Sequence, residues 1–360
     1  MSDIPAQPLG QAGSSETSKS AANDDWRAIL ILAVVAVVLH GGLAAAGLWQ
    51  AWAWPAVGVS FVMLVFFCER LGRRVPLRGR AAYERGLALG FPALILVLWQ
   101  LGADHGLINP TWFPPPTKIA GGLWDLTTRF DRFSQTTLLG RPWLIPEAFG
   151  KDGWAGVWSL FAESHVLATV ARVLVGFICG AVPGVLLGVV MGINKTVRLM
   201  LDTTLSAIYV LPKIAIFPIV MLTFADPFGE GPKILVVALS VFVLMTINTM
   251  AGVRGIDKVY LMAGKNYGAN GWQMLRHVII PGALPVIFAG LRIALGTAMI
   301  VIISVEFLRA KQGVGYLTYY YWEVLNPEKM YAGLLVIMVL GILLTYGLQV
   351  LQRRLMPWQR

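Results

Sequence analysis

The chain has 360 residues, of which 57% are hydrophobic and 13% charged, and its formal charge is +10. Apolar runs near the roughly 20 residues needed to cross a bilayer recur along it, which excludes an ordinary soluble enzyme and defines an integral membrane protein. The positive residues flank these runs instead of gathering on a soluble domain, so they read as orientation signals and not as a nucleic-acid surface.

Residues 1–27 are polar and rich in Ser and Ala, without a basic start or a short apolar core. They read as a disordered cytoplasmic tail and not as a cleaved signal peptide. The first expected span is 28–48. Trp49, Trp52, Trp54 and Pro55 then form an interfacial turn, and a short helix over 56–68 completes an accessory two-helix hairpin, 28–68. Residues 69–86 carry six arginines (Arg70, Arg73, Arg74, Arg78, Arg80 and Arg85), and a loop that basic stays in the cytoplasm.

A span at 87–101 leads outward. Residues 102–165 form a long external segment, with Pro114-Pro115-Pro116 as punctuation and an amphipathic run after Thr117. The core, 166–352, holds spans at 166–192, 197–224, 233–250, 285–308 and 330–351, and a basic cytoplasmic tail closes the chain at 353–360. The expectation is an all-α polytopic membrane protein with about eight transmembrane helices and both termini cytoplasmic. On that topology 17 Lys/Arg fall inside and nine outside, with Arg172, Lys213 and Arg292 in or near spans, which accounts for all 29.

The stretch 257–284 is the polar, basic interruption around which the core is arranged. Asp257 is placed to cap a short helix that Gly268 ends, since glycine adopts the left-handed conformation at little cost. Asn270 opens a second short helix with Gln273 as its capping-box partner, Pro281 stops it, and Pro285 starts the next span.

Gly268, nine further residues, then Val278-Ile279-Ile280-Pro281 resembles the cytoplasmic "EAA" loop of binding-protein-dependent ABC importer permeases. The run YGANGWQMLRHVIIPGALPVIFAGLRIALG looks like the nitrate, sulfonate and taurine branch of that family. From about Leu87 onward WFPPPTKIAGGLWDL, RVLVGFICGAVPGVLLGVVMG, YVLPKIAIFPI and GVGYL are family-like phrases in the same order. The chain departs from the pattern at the name-giving Glu-Ala-Ala, where it has Met262-Ala263-Gly264.

The resemblance implies a type I importer transmembrane domain in the bacterial inner membrane. It implies two ABC ATPase subunits, a second copy of this or a similar permease, and an external binding protein that delivers a small oxyanion or organic acid. Met262, Ala263, Gly264, Gly268, Trp272, Ile280 and Pro281 would form the ATPase-coupling loop. ATP and Mg would be bound by the partner ATPase, with no cofactor on this chain. The residues agree on the last point: Gly264-Lys265-Asn266 lacks the glycine-rich turn and the Ser/Thr of a phosphate-binding loop.

Candidate residues for the translocation path are Arg172, Lys213, Asn248 and Glu306, because ionisable or polar groups at membrane depth face a bundle interior, a partner or water. For Arg172 the alternative is a side chain snorkelling to headgroups. Lys213 lies between Pro212 and Pro218 in a broken helix. Glu306 is expected to pair with Arg309, Lys311 or another basic residue. Thr246, Asn248, Thr249 and Ser304 read first as interhelical hydrogen-bonding groups.

Gly176, Gly180, Gly184, Gly188 and Gly192 give one helix a flat stripe for close packing. Cys68 and Cys179 read as buried free thiols, and the four histidines are too scattered for a metal site. Asn194-Lys195-Thr196 matches a glycosylation acceptor by chance. A secondary transporter would need coupling carboxylates within its spans, where this chain has almost none; a non-transporting membrane scaffold is the other alternative.

Overall fold

A computed structural model describes residues 30–31, 34–35, 37–43, 45–129 and 137–359. The helices are α1 (Trp49–Arg74), α2 (Leu77–Asp104), α3 (Pro116–Thr128), α4 (Ile145–Ala162), α5 (His165–Ile193), α6 (Lys195–Val210) and α7 (Lys213–Met221). They continue as α8 (Glu230–Arg254), α9 (Lys258–Asn266), α10 (Gly271–Met274), α11 (Ile280–Arg309), α12 (Val314–Glu323) and α13 (Pro327–Leu355). Among the described residues six helical stretches are long and apolar enough to cross a membrane, or seven if the broken pair α6–α7 is one span.

The chain divides into two compact units, residues 1–98 and 99–360. In the first, the expected tryptophan turn is instead helical: α1 continues through Pro55. The first expected span is helical where it is described, at 30–31, 34–35, 37–43 and 45, and the rest of it lies outside the described residues. His40 Nε2 lies 3.1 Å from Ser60 Oγ of α1. The arginine-rich segment is also a correction. Only Val75 and Pro76 interrupt the helices, Val75 being extended at ψ 123° as a residue before proline prefers, and the arginines lie on helix ends.

The second unit is built on the pairing of α5 with α8, with α11 packed against α8. The glycine stripe of α5 makes that pairing possible. A Cβ on Gly176 would stand 2.7 Å from Val237 Cγ1, on Gly188 2.6 Å from Thr249 Cβ, and on Gly192 2.6 Å from Val253 Cβ. At Gly180 it would strike the Ala238 carbonyl oxygen. Without a hydrophobic drive between helices in lipid, this close backbone approach supplies the dispersion contact that holds them. Val173, Val237, Val241, Met245, Ala298, Ile302 and Val305 fill the centre with almost no exposure. A second cluster, Ile119, Leu126, Leu138, Leu317 and Ala332, packs α3 against α12 and α13.

Between α6 and α7 the chain bends by 97° at Leu211 and Pro212. Asn194 is the N-cap of α6, its side chain accepting from the amides of Thr196 and Val197 at 2.9 and 3.2 Å. That cap accounts for the asparagine of the acceptor-like triplet. Cys179 is exposed on the outer surface of α5, which corrects the expectation that both thiols are buried. An apolar helix buries only the face that meets its neighbours, and Ile178 and Val182 beside Cys179 are exposed as well. Gln312 ties the α11–α12 connection to the end of α4, donating to the carbonyls of Ala162 and Ser164 at 2.6 and 3.2 Å.

Candidate functional site

Two constructions stand out, at opposite ends of the spans. The first is the helix–glycine–helix unit of α9 and α10. The Asp257 side chain accepts from the Val259 amide at 2.9 Å and starts α9. Gly268, at φ 74°, turns the chain, and the Gly268 and Ala269 amides close the helix end by donating to Lys265 and Gly264 carbonyls. Asn270 and Gln273 form a reciprocal capping box, with distances of 2.8 and 2.9 Å.

Pro281 does not stop this second helix. Leu275–Ile279 is a π-helical turn in which the Ile280 amide donates to the Leu275 carbonyl, and α11 follows directly. The wider turn carries the ladder past Pro281, which has no amide to contribute, so α10 and α11 form one rod over Gly271–Leu308. Any displacement of α10 is therefore delivered along a spanning helix.

Leu261, Met274 and Leu275 pack this unit onto the core. A Cβ on Gly264 would lie 2.8 Å from Met274 Cε, so the small residue lets α9 and α10 close on one another. The opposite face holds large exposed side chains: Val259, Tyr260, Met262, Tyr267 (92% exposed) and Trp272. Ala263, Gly268 and Ile280 are exposed too, and Pro281 is half-buried.

The second construction is an ionic cluster in which Arg172, Lys233 and Glu306 are buried and Glu230 is half exposed. Arg172, on α5, is 5% exposed and does not snorkel. Its guanidinium holds Glu230 through two nitrogens, with the Nη2–Oε1 bond at 2.8 Å. Nη1 donates to Glu306 Oε1 at 2.7 Å and to the Gln312 carbonyl at 2.6 Å. Lys233, 4% exposed, donates to Glu230 Oε1 at 3.0 Å. Glu306 has no exposure at all; it also accepts from Thr169 Oγ1 at 2.9 Å and from the Gly315 amide at 2.9 Å. Thr169 in turn accepts from the Val314 amide at 2.8 Å. Two cations and two carboxylates thus balance, and bonds from several directions offset their desolvation.

The Gly313-Val314-Gly315 phrase has its reason here. A Cβ on Gly313 would overlap the Glu306 carboxylate, and one on Gly315 would lie 2.9 Å from the Ile303 carbonyl. Gly313 also has φ 130°, and its amide donates to His165 Nδ1 at 3.0 Å.

Of the four expected path residues, Arg172 and Glu306 are together, and the partner of Glu306 is Arg172. Lys213 and Asn248 lie elsewhere. Lys213 Nζ caps the broken end of α6, donating to the Tyr209 carbonyl and to the Ile208 carbonyl at 3.3 Å. Asn248 donates to the Leu244 carbonyl at 2.8 Å within its own helix.

Thr246 and Ser304 likewise bond to carbonyls one turn back, at 2.8 Å each, and Thr249 Oγ1 has no partner among the described residues. The expectation of interhelical hydrogen bonds is corrected: in an apolar helix the nearest acceptor is the residue's own i−4 carbonyl. Sequence reasoning missed Glu230, Lys233, Thr169 and Gln312. A usable signal was present, since Arg172, Glu230, Lys233 and Glu306 all fall at the same end of three neighbouring spans.

Residues 184–357 match the family described as the binding-protein-dependent transport system inner membrane component. The chain belongs to that family and is a permease subunit of an ABC importer. It is 31% identical to the taurine transport system permease protein TauC of Escherichia coli (strain K12), over 82% of this chain and 98% of TauC. It is 30% identical to the putative aliphatic sulfonates transport permease protein SsuC of Bacillus subtilis (strain 168), over 80% of this chain and 92% of SsuC. The nitrate import permease protein NrtB of Synechococcus elongatus is 25% identical over 65% of this chain and 74% of NrtB.

Proposed function

We propose that this permease admits a small anionic or zwitterionic solute, a sulfonate, taurine, nitrate or a related organic acid, delivered by an external binding protein. Taurine, sulfonates and nitrate are named for its relatives. The exposed apolar face of α9 and α10 is the docking surface for a separate ATPase subunit, which binds ATP and Mg. Two ATPases and a second permease copy complete the assembly. Both termini and the segments around Arg78 and Gly268 face the cytoplasm, and the external segment 102–165 faces the binding protein. The segment 28–68 is accessory to the permease core. Lys213 and Asn248, partly exposed, are the path candidates, while Arg172 and Glu306 position the helices that surround the path.

One observation carries this reading: Met262, Tyr267 and Trp272 are all exposed on a unit that Leu261, Met274 and Leu275 anchor to the core. An apolar surface outside the membrane calls for a partner. ATP-driven movement of that partner would push α10 and, through the π turn, the whole of α11. The missing acid at Met262 means that docking rests on shape and apolar contact.

Gly268 gives the test. No atom lies within 4 Å of a Cβ placed there, so Gly268→Val acts through backbone strain alone, a cost on the order of 1 kcal/mol or more. We expect the variant to insert and fold, yet to lose solute-stimulated ATP hydrolysis, uptake and ATPase co-purification. Gly268→Asn, which tolerates the left-handed conformation, should retain them. Unchanged uptake and association in Gly268→Val would reduce the unit to an ordinary connection. Gly264→Ala is expected to be tolerated, since the end of Met274 can move, and Met262→Glu should maintain or tighten ATPase binding where the partner has a matching basic group.

Orientation has its own test. In a background with Cys68 and Cys179 replaced by serine, Asp152→Cys should react with an impermeant maleimide applied from outside and Arg78→Cys should not. Asp152 is preferable to the adjoining Gly153, whose φ of 58° would strain a cysteine. Labelling of Arg78→Cys from outside would reverse the topology.

A further inference from the structure

Within the first unit, α1 and α2 cross closely at one end. The Tyr83 hydroxyl donates to the Cys68 carbonyl, and a Cβ on Gly72 would lie 2.9 Å from the Tyr83 ring. Further along, Phe61 and Phe91 meet with ring centroids 5.8 Å apart. Between these contacts lies a groove of about 610 Å³ whose floor, including Leu64, Val65, Leu87 and Leu94, is apolar.

The charged end of the groove carries Arg73 and Arg80, each paired with a carboxylate of its own helix: Arg73 with Glu69 at 2.6 Å, and Arg80 with Glu84 at 3.6 Å. All four of these side chains are more than half exposed, so both ion pairs are weak and open to exchange. Residues 69–86 hold six arginines and two glutamates, a surplus of four positive charges around this end. From Phe61 to Arg73 the helix rises about 18 Å at 1.5 Å per residue. One leaflet of the hydrocarbon core is about 15 Å deep.

An occupant must therefore be apolar over one leaflet's depth and negatively charged at one end. We propose that this groove binds an anionic phospholipid, with its acyl chain along Leu64, Leu87 and Leu94 and its phosphate at Arg73 and Arg80. Guanidinium groups suit a phosphate because they offer two parallel donors. A basic cluster beside a spanning helix attracts anionic headgroups in general; the apolar groove is what makes this one a site and not only a surface potential. The site belongs to the first unit, and its occupancy does not depend on the identity of the solute.

Gly86 and Gly90 line the groove, and a Cβ on either meets nothing within 4 Å. A larger side chain there fills the groove without disturbing the fold. The test uses the full chain in dodecyl maltoside, incubated with equimolar dioleoylphosphatidylglycerol and dioleoylphosphatidylcholine and read by native mass spectrometry. The anionic lipid should be retained over the zwitterionic one by about fivefold or more, given that each nearby arginine favours it. Arg73→Gln with Arg80→Gln should abolish that preference, and Gly90→Leu should lower retention of both lipids. Soluble glycerol 3-phosphate should not compete, because it lacks the chain that the groove holds.

Equal retention of the two lipids would overturn the proposal. So would displacement by glycerol 3-phosphate, or undiminished retention in Gly90→Leu. A dimer that Gly90→Leu dissociates while lipid retention is unchanged would assign the groove to a second copy and overturn it equally.

Discussion

Glu306→Ala should insert and then lose about 3–5 kcal/mol of stability, the largest single-residue effect expected in the core. Removing this carboxylate leaves Arg172 buried with one partner fewer, and strands the Thr169 hydroxyl and the Gly315 amide. It also opens a cavity where Gly313 and Gly315 make room for the carboxylate. Glu306→Gln keeps the shape but loses the charge and turns an NH2 toward donors at one of the two oxygen positions, so it should fall between wild type and alanine. The double variant Arg172→Leu, Glu306→Leu should recover part of the loss, because it removes the stranded charge along with its partner. Thermal unfolding of the purified chain in detergent, run as a double-mutant cycle with Arg172→Leu and Glu306→Leu as the single variants, measures the coupling. Additive single effects would mean that the two residues do not act as a pair.

Gly180→Val should be nearly as damaging for a different reason. Its Cβ would strike the Ala238 carbonyl oxygen and stand 2.8 Å from Val241 Cβ. Neither can yield easily, since one is backbone and the other belongs to a buried helix. Over-packing of this kind typically costs 1–3 kcal/mol, and here the upper end, about 3 kcal/mol, is expected. Gly296→Ala in α11 is the control: nothing lies within 4 Å of its Cβ, so relief of the glycine penalty should leave the helix unharmed or about 0.5–1 kcal/mol more stable. Disulfide trapping between cysteines placed on α5 and α8 would report separation of the pair, and trapping as efficient as in wild type would count against the stripe.

Local signals in the sequence were legible because their causes are local. Asp257, Asn270 and Gln273 cap helix ends within three residues of themselves, and Gly268 needs only its own backbone to be recognised. The glycine stripe is visible as a period along one helix, but nothing in it says that α8 is the partner. The ionic cluster is legible as charges at one end of three spans but not as a pairing, because Arg172 lies 58 residues from Glu230 and 134 from Glu306.

The continuation past Pro281 is hidden because nothing in the sequence marks the π turn that carries the ladder across it. The intrahelical bonds of Thr246, Asn248 and Ser304 follow from the scarcity of other acceptors in an apolar bundle. Apolar spans also hide which face is buried, since lipid and protein demand the same side chains.

The spacing within the cluster also sets a timetable for biosynthesis. At about 5–20 residues per second, Glu230 is synthesised roughly 3–12 s after Arg172, and Glu306 roughly 7–27 s after it. During that interval α5 is made and its arginine has no carboxylate from α11. Glu230, arriving with α8, is the earlier counter-ion, and it comes on the helix that the glycine stripe fits. Glu306 and the Gly313–Gly315 turn can close over the guanidinium only when α11 has been inserted. A ribosome paused between α8 and α11 would hold two cations, Arg172 and Lys233, that share the single carboxylate of Glu230.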